Sequence, residues 1–183
     1  MAEAIALLVF VTVQRLAELA WSRRNERRLK ALGAVETGAA HYPAMVALHG
    51  AWIASLWALG WNRPLVWTWA ALFLVLQLGR AWVLATLKGR WTTRVLVVPG
   101  ETLVRRGPYR FVSHPNYLVV ALEVPCLPLA FGLPWTALGF GLANLAMLAW
   151  RIRVEDRALR ALREEMSPHP VPSTSRPPLE GEG

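Results

Sequence analysis

The sequence predicts an all-α integral membrane protein with five transmembrane helices. Three observations carry that prediction. Hydrophobic residues fill 55% of the 183 positions and charged residues only 17%, against roughly 45–50% and about 25% in soluble domains. Mean hydropathy is +0.32. Long stretches carry no charge, and the basic residues that give a net charge of +8 gather into three segments between or after those stretches. This composition excludes a wholly disordered chain. The single cysteine, Cys126, excludes a disulfide-stapled fold.

A helix that crosses about 30 Å of hydrocarbon at 1.5 Å per residue needs about 20 mostly apolar residues. The N-terminal stretch supplies one candidate, about residues 2–21. Positive charge follows its apolar part instead of preceding it, so it is expected to be a span and not a signal peptide. Tyr42 to Asn62 contains no charge, nor does Pro64 to Gly79, which stays apolar past Arg80 to Leu87. These give spans of about 43–61 and 65–87. The apolar run from Val124 to Trp150 is too long for one crossing and is broken by Pro125, Pro128, Gly132 and Pro134. It divides into legs of about 117–131 and 133–150, joined by a tight turn at Gly132-Leu133-Pro134. Residues 1–166 thus form a single membrane-embedded domain.

Basic residues orient the spans. Arg23, Arg24, Arg27, Arg28 and Lys30 follow the first span; Lys88, Arg90, Arg94, Arg105, Arg106 and Arg110 follow the third; Arg151, Arg153, Arg157, Arg160, Arg163 and Arg176 follow the fifth. Of the remaining loop positions only Arg63 falls on the other side. The positive-inside rule predicts a multi-pass protein of the cytoplasmic membrane, with its N-terminus outside and its C-terminus cytoplasmic. Trp21, Trp61, Trp67, Trp91, Trp135 and Trp150 fall near the predicted ends, as an aromatic belt requires.

A few polar groups interrupt the spans. Arg15 and Glu18, spaced i,i+3, and Arg80 are expected to snorkel or to pair on helix surfaces. Glu123 lies deeper, and an acid at that depth is either a functional group or the partner of a cation such as Arg80. Asn144 is expected to hydrogen-bond between helices, and Cys126 to be a small buried hydrophobe.

Two polar stretches share the predicted cytoplasmic face. In the first, Arg94–Val98 and Thr102–Val104 read as short extended segments around a Pro99-Gly100 turn, and Gly107-Pro108 marks a second turn. A helix then starts near His114-Pro115, because proline in the first turn sacrifices no bonded N–H. The second stretch continues the fifth helix past Trp150, with Arg151 and Glu155 as i,i+4 neighbours. Ser167–Gly183 holds five prolines and almost no large apolar residue, which predicts a disordered tail. His41, His49, His114 and His169 lack metal-ligand spacing, so no metal is expected. A glycine-rich phosphate loop is absent too.

The run Thr102-Leu-Val-Arg-Arg-Gly-Pro-Tyr-Arg-Phe-Val-Ser-His-Pro-Asn-Tyr117 resembles the signature of the isoprenylcysteine carboxyl methyltransferase family, roughly T-L-V-x-x-G-x-Y-x-x-x-R-H-P-x-Y. A second family element is an arginine followed four residues later by an acidic pair and then a leucine. Here it corresponds to Arg151, Glu155-Asp156 and Leu159. Ser113 replaces the family's usual arginine, Asp156 replaces a second glutamate, and the Phe-Gly-x-Glu-Tyr-type segment that normally follows is missing.

The resemblance implies an S-adenosylmethionine-dependent methyltransferase with S-adenosylhomocysteine as product. Its cofactor pocket would lie on the cytoplasmic side and be built from a loop and helix ends. The implied cofactor contacts are Arg94, Glu101, Thr102, Leu103, Val104, Tyr109, His114, Pro115, Asn116, Tyr117 and Glu155. Arg151 falls where the family orients its acceptor, and Glu123 is the other candidate for the reaction itself. The expected acceptor is a lipophilic small molecule or prenylated compound, methylated on a carboxylate or a phenolic hydroxyl. The expected surroundings are the lipid bilayer, with neither nucleic acid nor an obligate protein partner. A phospholipid or amine N-methyltransferase of similar architecture is the enzymatic alternative, and a non-catalytic membrane protein is the alternative outside enzymes.

Overall fold

A computed structural model of the chain describes residues 1–99 and 104–166, with no side-chain description for 158, 159 and 161–166. Five α-helices follow one another: α1 (Ala2–Ala31), α2 (Tyr42–Gly60), α3 (Trp67–Leu87), α4 (Pro115–Ala130) and α5 (Pro134–Met166). Between α1 and α2 lies strand β1 (Val35–Glu36), and between α3 and α4 lies β2 (Leu96–Val97). The two strands pair antiparallel, with Val35 opposite Val97 and Glu36 opposite Leu96. The extended segment at 94–98 therefore pairs with the α1–α2 connection. The expected flanking segment at Thr102–Val104 falls largely outside the described residues, as do the expected tail at 167–183 and the expected contacts Glu101, Thr102 and Leu103.

Among the described residues, four helical stretches are long and apolar enough to cross a membrane: Ala2–Ala31, Ala39–Gly60, Trp67–Arg90 and Pro134–Arg157. The fourth expected crossing is different. Helix α4 has 16 residues, about 24 Å at 1.5 Å per residue, short of about 30 Å of hydrocarbon. Pro115 sets its start, and Gly132, at φ 65, turns the chain into α5 just after its end. Helices α1 and α5, of 30 and 33 residues, instead overrun the hydrocarbon. Their C-terminal ends, with Arg28 and Lys30 in the last turn of α1, extend past it at one end of the bundle. The chain runs alternately, so that end collects the α1–α2 and α3–α4 connections and residues 151–166. The opposite end holds the N-terminus and the short turns near Arg63 and Gly132.

Each long helix buries one narrow stripe whose character changes along its length. On α1 the buried positions are Ala4, Leu8 and Val11, then Glu18, Ser22, Asn25 and Leu29. On α5 they are Ala137, Gly141, Asn144, Leu148 and Arg151. Steps of three and four residues keep these side chains on one face. At the end away from the motifs the stripes are apolar. Leu8, Val11, Trp52, Leu56, Phe73, Leu127 and Phe131 form the core there. The outer faces are also apolar: Val13, Val75 and Leu78 are all exposed. Charge inside and leucine outside is the arrangement for a hydrocarbon solvent.

At mid-depth the stripe turns ionic. Arg80 Nε donates to Glu18 Oε1 at 2.6 Å, and its Nη1 donates to Glu123 Oε2 at 3.0 Å. Arg15 Nη2 donates to the same Glu123 oxygen at 2.8 Å, and Nη1 reaches Glu18 at 3.1 Å. Gln77 Nε2 closes the set on Glu123 Oε1 at 2.8 Å. Arg80 and Glu18 are buried and Glu123 is 0% exposed. Arg15 and Glu18 pair as expected, but Arg80 neither snorkels nor lies on a helix surface: it is buried and holds both acids. A guanidinium in hydrocarbon finds a carboxylate from a neighbouring helix closer than the interface. Asn144 Nδ2 donates to Val120 O at 3.3 Å, joining α5 to α4 as expected. Cys126 is buried. Trp91 departs from the belt: it is buried and packs against Trp21, ring centroids 5.7 Å apart.

Removing one partner of a buried ionic set leaves the others uncompensated, at a cost of about 3–5 kcal/mol. Arg80→Met is expected to destabilise the protein by about that amount in mixed-micelle unfolding. An unchanged midpoint would show that the set does not hold α1, α3 and α4 together.

Candidate functional site

Helix α4 begins at Pro115 with His114 as its N-cap residue, and among the described residues no side chain caps its first turn. Tyr117, one turn in, is buried. The i,i+4 pair on α5, Arg151 and Glu155, does not meet directly. Arg151 Nε donates to Tyr117 Oη at 3.1 Å, and that hydroxyl donates in turn to Glu155 Oε2. A single phenol thus joins two stretches 34 residues apart. The Arg151 guanidinium also faces the Tyr117 ring at 5.5 Å.

His114 stacks on Tyr117, with centroids 5.3 Å apart and planes 16° apart. Its Nε2 lies 3.5 Å from Asp156 Oδ1, and its Nδ1 lies 4.0 Å from Glu155. Tyr109 comes from a single turn of 3₁₀-helix, Gly107–Arg110, that opens at Gly107 with φ 58. Burial first, and the Glu155 carboxylate second, push the Tyr109 phenol up to about 12. It is therefore a neutral donor beside an acid. Asn116 Oδ1 is buried at the start of α4 with no hydrogen-bond partner among the described residues.

This cluster opens into a cavity of about 330 Å³ between α1, α2, α4 and α5. Asn116, Tyr117 and Arg151 form its motif end, and Arg15, Glu18, Arg80 and Glu123 lie along its depth. Most of the rest is apolar, as Leu16, Val46, Ile53, Val120 and Leu148 illustrate. A largely apolar pocket with a few convergent polar groups is the usual form of a small-molecule site.

The structure therefore brings together Tyr109, His114, Pro115, Asn116, Tyr117, Arg151 and Glu155 of the expected residues. Val104 is half-buried in the loop that leads to them. Arg94 stands apart. It pairs with Glu36 and, at 3.2 Å, with Glu26, and lies 3.9 Å over the Tyr42 ring. Burial raises the Glu36 carboxyl, but hydrogen bonds from Lys30 and Arg94 outweigh it and hold the group below its ordinary value. Arg94 thus pins the β1–β2 pair behind Tyr42, which itself lines the cavity. Glu123 lines the cavity too, with both oxygens engaged by Arg80, Arg15 and Gln77.

Tyr42, Met45 and His49 of α2 had no part in the expected site, yet all three line the cavity. The signal for them was the spacing 45, 49, 52, 56, which continues the buried stripe of Trp52 and Leu56 toward the motif end. No motif marks it.

Comparisons with known proteins place the chain in a family. The model of the isoprenylcysteine carboxyl methyltransferase (ICMT) family matches residues 69–161, which span α3, α4 and most of α5. An uncharacterized protein, YpbQ, of Bacillus subtilis is 42% identical over 160 residues, 84% of this chain and 95% of the relative. An uncharacterized protein of Haemophilus influenzae is 28% identical over 155 residues, 81% of this chain and 90% of the relative. No solved structure gives a significant match. The matched region contains both stretches that meet at Tyr117, and the chain belongs to the isoprenylcysteine carboxyl methyltransferase family, as a membrane methyltransferase of that type.

Proposed function

We propose that this enzyme moves a methyl group from S-adenosylmethionine to an oxygen, carboxylate or phenolic hydroxyl, of a lipophilic acceptor that enters from the bilayer. The observation that carries this is the meeting of Arg151, Tyr117 and Glu155, the first two of which line an apolar cavity. A polar cofactor and a lipid-like acceptor need a site that faces both water and hydrocarbon.

The residues fit the cofactor chemically. Asn116 Oδ1 is a buried acceptor in want of a donor, and Glu155 is a second acceptor; together they suit an ammonium or an adenine amino group. At the first turn of α4 Pro115 has no N–H and the Tyr117 and Leu118 N–H groups bond to His114 O, so the Asn116 N–H is the donor left to meet a carboxylate. Tyr109, His114 and Tyr117 offer ring faces and edges to a purine. When bound, S-adenosylmethionine supplies a methyl carbon on a positively charged sulfur.

Arg151 has no ion-pair partner among the described residues, although it is buried. Within its fork, Nε is held by Tyr117 and Nη1 meets Met45 Sδ, and Nη2 is left to hold an acceptor oxyanion. Tyr117 fixes the plane of that fork through Nε, and Glu155 fixes Tyr117. In-line transfer between atoms about 3–3.5 Å apart depends on such fixed positions.

Four outcomes are expected. Isothermal titration in detergent detects S-adenosylhomocysteine binding to the wild type. Glu155→Ala weakens it on the order of 10–100-fold, the worth of a charged hydrogen bond; undiminished affinity would remove Glu155 from the site. Arg151→Ala lowers kcat/KM by on the order of 100-fold while cofactor affinity changes by less than about threefold; labelled methyl transfer at the wild-type rate would contradict its role. With the N-terminus outside, Arg63→Cys in intact cells reacts with an impermeant maleimide and Arg106→Cys does not; the reverse pattern would invert the topology.

A further inference from the structure

His49 sits on the inner stripe of α2, one turn beyond Met45, and lines the cavity. Its Nδ1 lies 2.9 Å from the carbonyl oxygen of Met45. A carbonyl only accepts, so Nδ1 carries the ring proton and Nε2 keeps its lone pair. Among the described residues Nε2 has no hydrogen-bond partner. The ring is further held edge-on to Trp52, with centroids 6.4 Å apart. This is an imidazole locked in one tautomer, with its basic nitrogen unspent.

Its surroundings suit an anion. The charged groups lining the same cavity are Arg15 and Glu18 of α1, Arg80 of α3, Glu123 of α4 and Arg151 of α5: three cations against two carboxylates. Both carboxylates are already bound by Arg80 and Arg15. Met45 joins the two ends of the arrangement, since its Sδ touches Arg151 Nη1 while its carbonyl fixes His49. Asn144 Oδ1, buried and without a partner among the described residues, lines the same space.

We propose that His49 is the general base of this enzyme, removing the proton of a weakly acidic hydroxyl on the acceptor. The proposal rests on the methyltransferase reading above. The acceptor's O–H bond breaks as its proton passes to Nε2. The oxygen's electron pair forms the new O–CH3 bond, while the C–S bond of the methyl sulfonium breaks and its pair stays on sulfur as a neutral thioether. The imidazolium then releases its proton to water. A carboxylate acceptor is ionised at neutral pH and has no use for such a group, whereas a phenol, near pKa 10, does.

The test uses full-length protein in detergent and two long-chain phenols, 4-dodecylphenol and its far more acidic 2-nitro analogue. His49→Gln is expected to keep S-adenosylhomocysteine affinity and to lose about 100-fold in turnover of the plain phenol, but less than about fivefold with the nitro analogue, which ionises unaided. A second readout needs no turnover. With S-adenosylhomocysteine present at pH 6, nitro analogue bound to the wild type shows more phenolate absorbance than that bound to His49→Gln. Equal loss on both phenols, no loss on either, or identical bound spectra overturns the base. Loss of cofactor affinity in the variant assigns His49 to structure instead, and overturns it too. If the wild type itself fails to bind S-adenosylhomocysteine, the methyltransferase reading falls first and this proposal with it.

Discussion

The bundle depends on a buried ionic knot. Arg80 of α3 holds Glu18 of α1 and Glu123 of α4 at once, and Arg15 bridges the same two acids. Charges at this depth are tolerable only when each is paired with an opposite charge. That demand fixes the rotation of three helices about their axes, because each carries its charge on one narrow face. It also divides the molecule. Beyond the knot, toward the N-terminus of α1, Leu8, Trp52, Leu56 and Phe131 pack without polar groups. On the other side the helices stay parted, and the cavity fills the gap.

The short fourth helix follows from the same division. Helix α4 starts at Pro115, well inside the polar end, so its first turn presents Asn116 and Tyr117 to the cavity. Had α4 been as long as α3, those residues would project past the site. Helix α5 does overrun, and its overrun brings Arg151 and Glu155 level with the start of α4. Tyr117 is where the two meet. A phenol suits this position because it both accepts from a guanidinium and donates to a carboxylate. The carboxylate and guanidinium are then held one helical turn apart, pointing at different halves of the site: Glu155 with His114 and Tyr109, and Arg151 with Met45 of α2.

Helix α2 lies outside the region matched by the family model. It nevertheless supplies a wall of the cavity through Tyr42, Met45 and His49. The matched half carries the residues that meet at Tyr117. The unmatched half, through α1 and α2, closes the other side of the same cavity.

The sequence alone determined much of this. Charge-free runs against a hydrocarbon thickness located the helices, because burying an unpaired peptide group in lipid is prohibitive. The grouping of arginines separated the two ends of the bundle. A helix start at His114-Pro115 and the continuation of the fifth helix past Trp150 were legible because both depend on local backbone geometry, whereas the site roles of Tyr117, Arg151 and Glu155 came from the resemblance to the family's two sequence elements. Other features were decided only by tertiary structure. Which acid Arg80 would choose, that Arg15 would share it, that Arg94 would turn to Glu36, and that His49 would face the cavity are all contacts between residues more than thirty positions apart, or matters of which way a helix is rotated. Periodicity reveals that a helix has an inner face, but an inner histidine and a merely buried one have the same spacing. Only the packing of the neighbouring helices leaves one of them beside a cavity, with a nitrogen to spare.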